Sequence, residues 1–258
     1  MSSRTWTLAT WNVNSLRVRL PLVVRYLDEV HPDVLCLQET RVGASGFPHA
    51  AFEERGYHVA FTSTGGYAGV AIASRAKIDE VVVGLPGFVE TKAPGRRLAC
   101  RIGERWVDTV YVPTRMAIGK AEFLDALRAD HDERLGAGAK VVLAGDFNIC
   151  WAERDYASPK MISEPDVHPR RPEDLAFRRL VGDRLLDVFR ALENGRGHYS
   201  WFPNATWALK RKYGMRLDYV FASPELVGDK GEARHDLVTM SWPRPSDHVP
   251  VWVKLGAG

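Results

Sequence analysis

Asp146 and Asn148 are the residues best placed by type and spacing to do chemistry. They close the stretch Val141-Val142-Leu143-Ala144-Gly145-Asp146-Phe147-Asn148-Ile149. The apolar run reads as a buried strand that stops abruptly at polar residues. Alternate residues at a strand end share a face, so the carboxylate of Asp146 and the amide of Asn148 are expected to point together into a cleft. That pair offers a base or metal ligand beside a neutral positioning group. Taken alone, Gly-Asp-x-Asn reads equally well as a turn, because Asp and Asn both bond to their own backbone and often end strands.

The same design recurs along the chain. Asn12 and Asn14 follow the alternating run 5–11, Glu39 follows the apolar run 34–37, and Tyr111 ends the strand-like run 106–112. Asp218 lies in the run 215–222, and Asp247 and His248 precede the run 249–254. Together these residues form an oxygen-rich set with a single histidine, which suits Mg²⁺ or Mn²⁺ and argues against zinc. Phosphate is the natural substrate for such a set. A divalent ion screens phosphoryl oxygens, a carboxylate orients or deprotonates a water, and a protonated histidine stabilises added negative charge. Tyr111 could hydrogen-bond a phosphoryl oxygen, and Asp218 could hold the His248 ring by its second nitrogen. Each residue singly has a structural alternative: Asn12 and Asn14 as turn formers, Glu39 as a cap, Asp218 as a buried carboxylate. The segment Ser246-Asp247-His248-Val249-Pro250 is hardest to dismiss, since a histidine beside an aspartate before a strand has no obvious packing task.

The elements that must position these residues are strands more often than helices. Helical spacing of Leu20, Val23, Val24, Leu27 and Val30 predicts a helix with Pro21 in its first turn and Pro32 as its stop. A weaker helix is expected over 46–55, and Gly65-Gly66 links two strands of an antiparallel hairpin, 57–62 and 69–74. Further strands fit 80–83 and 97–102, and the stretch 118–135 is an amphipathic helix with Phe123, Leu124 and Leu127 on one face. The stretch 151–172 reads as a long loop, followed by helices over 173–180 and 185–192. Roughly ten strand candidates against about five helices are too many strands for a doubly wound sheet. Two mixed sheets packed face to face, with helices on both outer faces, absorb all of them: an α+β, four-layer α/β/β/α sandwich. A cleft at the sheet ends would gather the polar residues from both halves.

The 258 residues are 45% hydrophobic and 26% charged, which excludes a disordered chain, and nothing marks a linker. One compact unit spanning 1–258 is expected. A formal charge of +3 allows a polyanionic partner without demanding one. Cys36, Cys100 and Cys150 have no Cys-x-x-Cys spacing and read as buried, reduced thiols. No run is long enough for a signal peptide or a membrane span, which predicts a soluble, cytoplasmic protein.

Read in order, Trp11-Asn12-Val13-Asn14-Ser15-Leu16-Arg17, Leu35-Cys36-Leu37-Gln38-Glu39-Thr40, Gly66-Tyr67-Ala68-Gly69-Val70, Val110-Tyr111-Val112-Pro113, Gly145-Asp146-Phe147-Asn148-Ile149, Arg216-Leu217-Asp218-Tyr219 and Ser246-Asp247-His248-Val249-Pro250 resemble the motif series of the exonuclease III class of apurinic/apyrimidinic (AP) endonucleases. This class belongs to the endonuclease/exonuclease/phosphatase superfamily. The resemblance spans 5–255 and implies the same four-layer sandwich. It implies Glu39 as principal metal ligand with Asn14 nearby, and Asn12 and Tyr111 as contacts to the scissile phosphate. Asp146 would activate or orient the attacking water, with Asn148 helping to place it. His248, held by Asp218, would stabilise the pentavalent transition state, and Asp247 would support metal or leaving-group chemistry. Trp201 and Leu217 fall where the family receives a flipped-out baseless sugar.

The resemblance further implies a monomeric, Mg²⁺-dependent phosphodiesterase, with Mn²⁺ as a substitute. It would cleave double-stranded DNA 5′ to abasic sites and clear blocked 3′ ends, with 3′-to-5′ exonuclease action. The chain departs from the family where Thr114 follows Tyr-Val-Pro in place of an Asn or Gln amide. The basic stretches 170–179 and 210–212 are candidate phosphate contacts beside the site motifs. Two other readings compete: a phosphoesterase of the same superfamily acting on RNA or a small phosphoester, and a catalytically silent DNA-binding protein.

Overall fold

The computed structural model describes residues 5–62, 66–88, 94–114, 119–162, 171–182, 184–203, 205–228 and 231–256. In chain order the strands are β1 (Trp6–Asn12), β2 (Val34–Gln38), β3 (His58–Phe61), β4 (Val70–Ser74), β5 (Glu80–Val83), β6 (Arg97–Ile102), β7 (Arg105–Tyr111), β8 (Lys140–Asp146), β9 (Leu186–Asp187), β10 (Asp218–Ala222), β11 (Glu232–His235) and β12 (Val251–Leu255). They form two six-stranded mixed sheets, ordered β11-β12-β1-β2-β4-β3 and β5-β6-β7-β8-β10-β9.

Strand alternation builds the four layers. Leu8, Val34, Cys36 and Ile72 of the first sheet meet Leu98, Val107, Val142, Ala144 and Val220 of the second in the central core. Ala9, Trp11, Leu35 and Leu37 point the other way, onto Val23, Tyr26 and Leu27 of the helix Leu16–Val30. Val141, Leu143, Tyr219 and Phe221 likewise pack outward onto Phe123 and Leu127 of the helix Lys120–Gly136 and Phe177 of the helix Pro172–Val181. The expected α/β/β/α sandwich is the observed fold, and the three cysteines are free and buried. Among the described residues, no helix is long and apolar enough to cross a membrane.

Several local expectations need correction. The first helix starts at Leu16, so Pro21 lies inside it and not in its first turn. Its start is set by tertiary bonds, Ser15 N–H to the Glu39 carbonyl and Leu16 N–H to the Thr40 carbonyl. The stretch 46–55 contains only the short helix His49–Glu53, and the stretch 185–192 divides into β9 and the helix Val188–Leu192, capped by Asp187. The loop expected over 151–172 holds a 3₁₀ turn at Glu153–Asp155 and a short helix at Pro159–Ile162, while 163–170 lie outside the described residues. Gly65, in the hairpin link, also lies outside them, but its strands pair antiparallel as expected.

Candidate active site

Parallel pairing brings the carboxyl ends of four strands to one edge of the sandwich: β1 beside β2, and β7 beside β8. Asn12 aligns with Gln38 in one sheet, and Tyr111 aligns with Asp146 and Asp146 with Asp218 in the other. On each strand these residues continue the face that fills the central core. The core layer therefore turns polar at this edge. Gln38 bridges the sheets there, its amide donating to Thr10 Oγ1 and Thr109 Oγ1 at 2.8 Å each. The glycine before Asp146 has a steric cause: a Cβ on Gly145 would stand 2.0 Å from the Val110 carbonyl oxygen, so a side chain would drive β8 off β7.

Above this polar layer the side chains form a connected set. The Asn12 amide donates to Glu39 Oε1 and to Asp146 Oδ2, both at 2.9 Å, across the gap between the sheets. Asp146 Oδ1 accepts the Asn148 N–H at 2.9 Å, and the Asn148 amide donates to the Val112 carbonyl at 3.0 Å. Asp218 Oδ2 lies 2.8 Å from His248 Nδ1, and His248 Nε2 faces Asp146 Oδ2 at 3.7 Å. Asn14 donates to Asp247 Oδ1 at 3.0 Å, and the Trp201 indole N–H donates to Asp247 Oδ2 at 3.1 Å. Asn14, Glu39 and Asn148 all have positive φ without being glycine, as do Ser15 and Arg41 beside them. Backbone strain of this kind is sustained where surrounding structure over-determines it.

Electrostatics differ from group to group. Burial raises the Asp146 carboxyl well above the usual range, with the His248 charge pulling against it and Asp218 pushing further up. Burial disfavours a charged His248, but the carboxylates of Asp218, Asp146 and Asp247 outweigh it and raise its pKa, so the ring is held protonated. A charged ring donates from Nδ1 to Asp218 and keeps an N–H at Nε2 for the cleft. Burial also works against ionising Asp247, yet the His248 charge and the bonds from Asn14 and Trp201 hold its carboxyl below the ordinary range. Burial, then the Glu39 and Asp146 charges, push the Tyr111 hydroxyl far up, which keeps it a donor.

Trp201 and Leu217 pack in one apolar cluster with Met215, Tyr156, Met161 and Cys150, and Trp201 also bridges by backbone to His248. Asn12, Glu39, Asp146, Asn148, Asp218 and His248 thus form one set, Asn14, Asp247 and Trp201 meet it at His248, Leu217 packs with Trp201, and Tyr111 aligns with Asp146 on the neighbouring strand. Reading the sequence missed others. Arg41 pairs with Glu39 Oε2, Arg96 lies over the Tyr111 ring at 4.5 Å from its centroid, and Met215 joins the apolar cluster. Ser200 Oγ accepts the N–H groups of Leu217 and Asp218 at 3.0 Å each. Arg41 directly follows the Gln-Glu-Thr motif, and that adjacency was the available signal. Ser200 and Met215 had none.

The candidate phosphate contacts fare unevenly. Arg170 lies outside the described residues, Arg178 donates to the Trp151 carbonyl, and Arg179 is engaged by Asp125 at 2.8 Å. Lys210, Arg211 and Lys212 are exposed, with Arg211 over the Trp207 ring. Thr114 is exposed at the end of the Tyr-Val-Pro segment.

Comparison with known proteins places this geometry. Residues 9–248 match the endonuclease/exonuclease/phosphatase family. An exodeoxyribonuclease of Bacillus subtilis is 29% identical over 253 residues, which cover 95% of this chain and 97% of its own. A Neisseria 3′ phosphatase solved with a product DNA hairpin superposes with a TM-score of 0.89 at 32% identity, covering 97% of this chain and 99% of that one. An AP endonuclease from Archaeoglobus fulgidus gives 0.88 at 30% identity, covering 96% and 98%.

Proposed function

Because the chain belongs to the endonuclease/exonuclease/phosphatase family, we propose that it is a metal-dependent DNA repair phosphodiesterase. In this reading it is an AP endonuclease that incises 5′ to abasic sites, with 3′-to-5′ exonuclease and 3′-end cleaning activity at the same site. The observation that carries the reading is the Asn12 amide, which ties Glu39 to Asp146 across the two sheets beside the Asp218–His248 pair. Residues 1–258 act as one catalytic domain, a cytoplasmic monomer whose substrates are duplex DNA with abasic sites or blocked 3′ ends.

The donors around Glu39 fit Mg²⁺, with Mn²⁺ as a substitute: carboxylate and amide oxygens, no thiolate, and a cationic group, Arg41, already on Glu39. Glu39 would hold the ion, with Asn14 and Asp247 nearby. When bound, it neutralises charge on the phosphoryl oxygens. The chain's own groups do the rest. Asn12 and Tyr111 hold the scissile phosphate by N–H and O–H donation. Asp146, made more basic by burial, accepts a proton from the attacking water, which Asn148 helps to place. Water oxygen bonds to phosphorus while the bond from phosphorus to the upstream 3′ oxygen breaks. That leaves a 5′ phosphate on the baseless sugar and, once the departing 3′ oxygen has taken a proton from solvent, a 3′ hydroxyl. His248, charged and held by Asp218, offers its Nε2–H to the developing negative charge. Trp201 and Leu217, with Met215, wall the pocket for the extruded sugar, whose missing base makes unstacking cheap.

A second reading weights 3′-end cleaning over incision. It is favoured by the similarity to the Neisseria 3′ phosphatase and by Thr114, which removes an amide that would help bind the DNA backbone.

One assay tests both. End-labelled duplexes carrying an internal abasic site, a 3′ phosphate at a nick, or no lesion are incubated with Mg²⁺ or with chelator, beside the Asp146→Asn variant. Metal-dependent incision 5′ to the abasic site, lost in the variant, is the expected result. Release of 3′ phosphate without incision selects the second reading. No reaction on any duplex, or activity that ignores rising salt, returns the search to small phosphoesters.

A further inference from the structure

Both oxygens of Glu39 are engaged. Oε1 accepts the Asn12 amide at 2.9 Å, and Oε2 is paired with the guanidinium of Arg41. The two partners differ in freedom. Asn12 is fully buried and fixed by its second bond to Asp146, whereas the Arg41 side chain is 40% exposed.

The backbone beneath Arg41 is rigid. Its N–H donates to the Ala68 carbonyl at 2.8 Å, and the Thr40 N–H donates to the Gly69 carbonyl at 3.1 Å. Gly69 permits that docking, because a Cβ there would stand 2.4 Å from Thr40 Oγ1. The guanidinium can therefore leave Glu39 by side-chain rotation alone, without moving Glu39 or the strand end.

A divalent ion held by Glu39 would compete for the carboxylate that Arg41 now occupies, and at equal distance a divalent charge interacts twice as strongly. Like charge then drives Arg41 outward. Once displaced it would share a rim with Arg19, which donates to the Asn14 and Pro245 carbonyls and, besides its burial, feels the charges of Asp247, Arg244 and Arg41. A planar fork with free donors on that rim suits a bidentate contact with a phosphate oxygen pair.

We propose that Arg41 is an internal counter-ion which competes with the divalent metal for Glu39 and, once displaced, becomes a contact for the DNA phosphate backbone. The inference rests on the reading of Glu39 as metal ligand. It gives Arg41 two successive partners, so that metal loading and substrate grip are coupled through one side chain. Metal-free protein would hold its own cation in the site and keep Arg41 from DNA.

Mn²⁺ titration followed by electron paramagnetic resonance, without DNA, tests the first half on the wild type, Arg41→Met and Glu39→Gln. Because a pair this exposed is weak, removing the competitor should tighten Mn²⁺ binding by only about 3- to 10-fold, whereas Glu39→Gln should weaken it. Anisotropy of a labelled abasic duplex with Mn²⁺, in an Asp146→Asn background that does not turn over, tests the second half. There Arg41→Met should weaken binding about 10-fold and reduce the salt slope by about one. Unchanged or weaker Mn²⁺ binding in Arg41→Met, with Glu39→Gln still impaired, overturns the competition. Tighter Mn²⁺ binding with unaltered DNA affinity overturns the phosphate contact. Mn²⁺ binding indifferent to Glu39→Gln overturns the metal reading itself, a separate failure.

Discussion

Two groups, each of two carboxylates and a histidine, are anchored on strands of the second sheet, and only one of them stands at the edge where the polar ends meet. Asp146, Asp218 and His248 occupy that edge, while Asp108 of β7 meets Asp130 and His131 of the helix Lys120–Gly136, each set with its ligand atoms within 4.8 Å. By residue type they are nearly the same. They differ in what balances the charge. Asp108 accepts from Arg97 at 2.7 Å, Arg134 at 3.2 Å and His131 at 2.9 Å, and Arg97 also holds Asp130 at 2.6 Å. Burial alone would raise the Asp108 carboxyl, but these cations hold it well below the ordinary range. Two arginines thus neutralise two carboxylates, with His131 bonded to Asp108, and leave no demand for another cation. At the strand ends four carboxylates, Glu39, Asp146, Asp218 and Asp247, stand against His248, the exposed Arg41 on Glu39 and Arg19 in the field of Asp247. Surplus negative charge, and not the clustering of acids, separates a candidate metal centre from a structural ion network.

The largest expected effect falls on the structural group. Replacing Asp108 by Ala leaves Arg97 and Arg134 to share Asp130 alone, an uncompensated buried charge that costs about 3–5 kcal/mol of stability. Urea unfolding should show the unfolding free energy reduced by that amount, with turnover per folded molecule unchanged. Lost turnover at full stability would erase the distinction. The reverse pattern is expected at the strand ends. Asp146→Asn and His248→Ala should each lower turnover by at least about 10²-fold, roughly 2.7 kcal/mol of transition-state stabilisation. Both proteins should stay folded. Near-normal rates for both would remove the proposed mechanism.

Strand alternation is what made one of these groups readable in the sequence. Asp146 and Asn148 follow an apolar run, and Tyr111 ends another, so their position at a polar edge was legible from local pattern. Asp108 sits in the same strand as Tyr111 but on the opposite face, and its partners Arg97 and Arg134 come from β6 and the helix Lys120–Gly136. No local pattern announces such a group. Arg216 repeats the lesson: it belongs to a quoted motif, yet its ion pairs with Asp155, 61 residues away, and Asp187 depend on tertiary packing. Strand β11 was missed because Glu-Ala-Arg-His has no β-branched residue and a single small apolar one, Ala233. Its place comes from pairing with β12 alone.

A smaller effect sharpens the account of the active edge. Trp201 touches both halves of it, donating to Asp247 while packing in the apolar cluster with Leu217 and Met215. Trp201→Ala should lower cleavage at abasic sites about 10-fold, the scale of one stacking contact, and spare 3′-end degradation. Equal losses in the two assays would contradict the pocket and leave Trp201 as support for Asp247.

His235 extends the comparison to a histidine with no carboxylate bonded to it. The residue is half-buried, but both ring nitrogens are sealed from solvent and lack a hydrogen-bond partner, with the Phe189 ring at 4.4 Å. Burial first, then the charges of Arg216, His198 and Arg190 against the pull of Asp155, depress its pKa well below the ordinary value. The sign is opposite to that of His248. A neutral His235 in the folded state contributes fully above the unfolded pKa of about 6.5, and stability is lost as pH falls below it, by at most about 1.4 kcal/mol per pH unit. His235→Leu removes this proton uptake from the unfolded state and fits the apolar wall of Phe189. Urea unfolding at pH 7.5 and 5.5 should therefore show the variant losing about 1 kcal/mol less than the wild type over that interval. Parallel losses would mean that the ring takes its proton in the folded state as readily as in the unfolded one. His235 would then resemble the paired histidines and would not be their opposite.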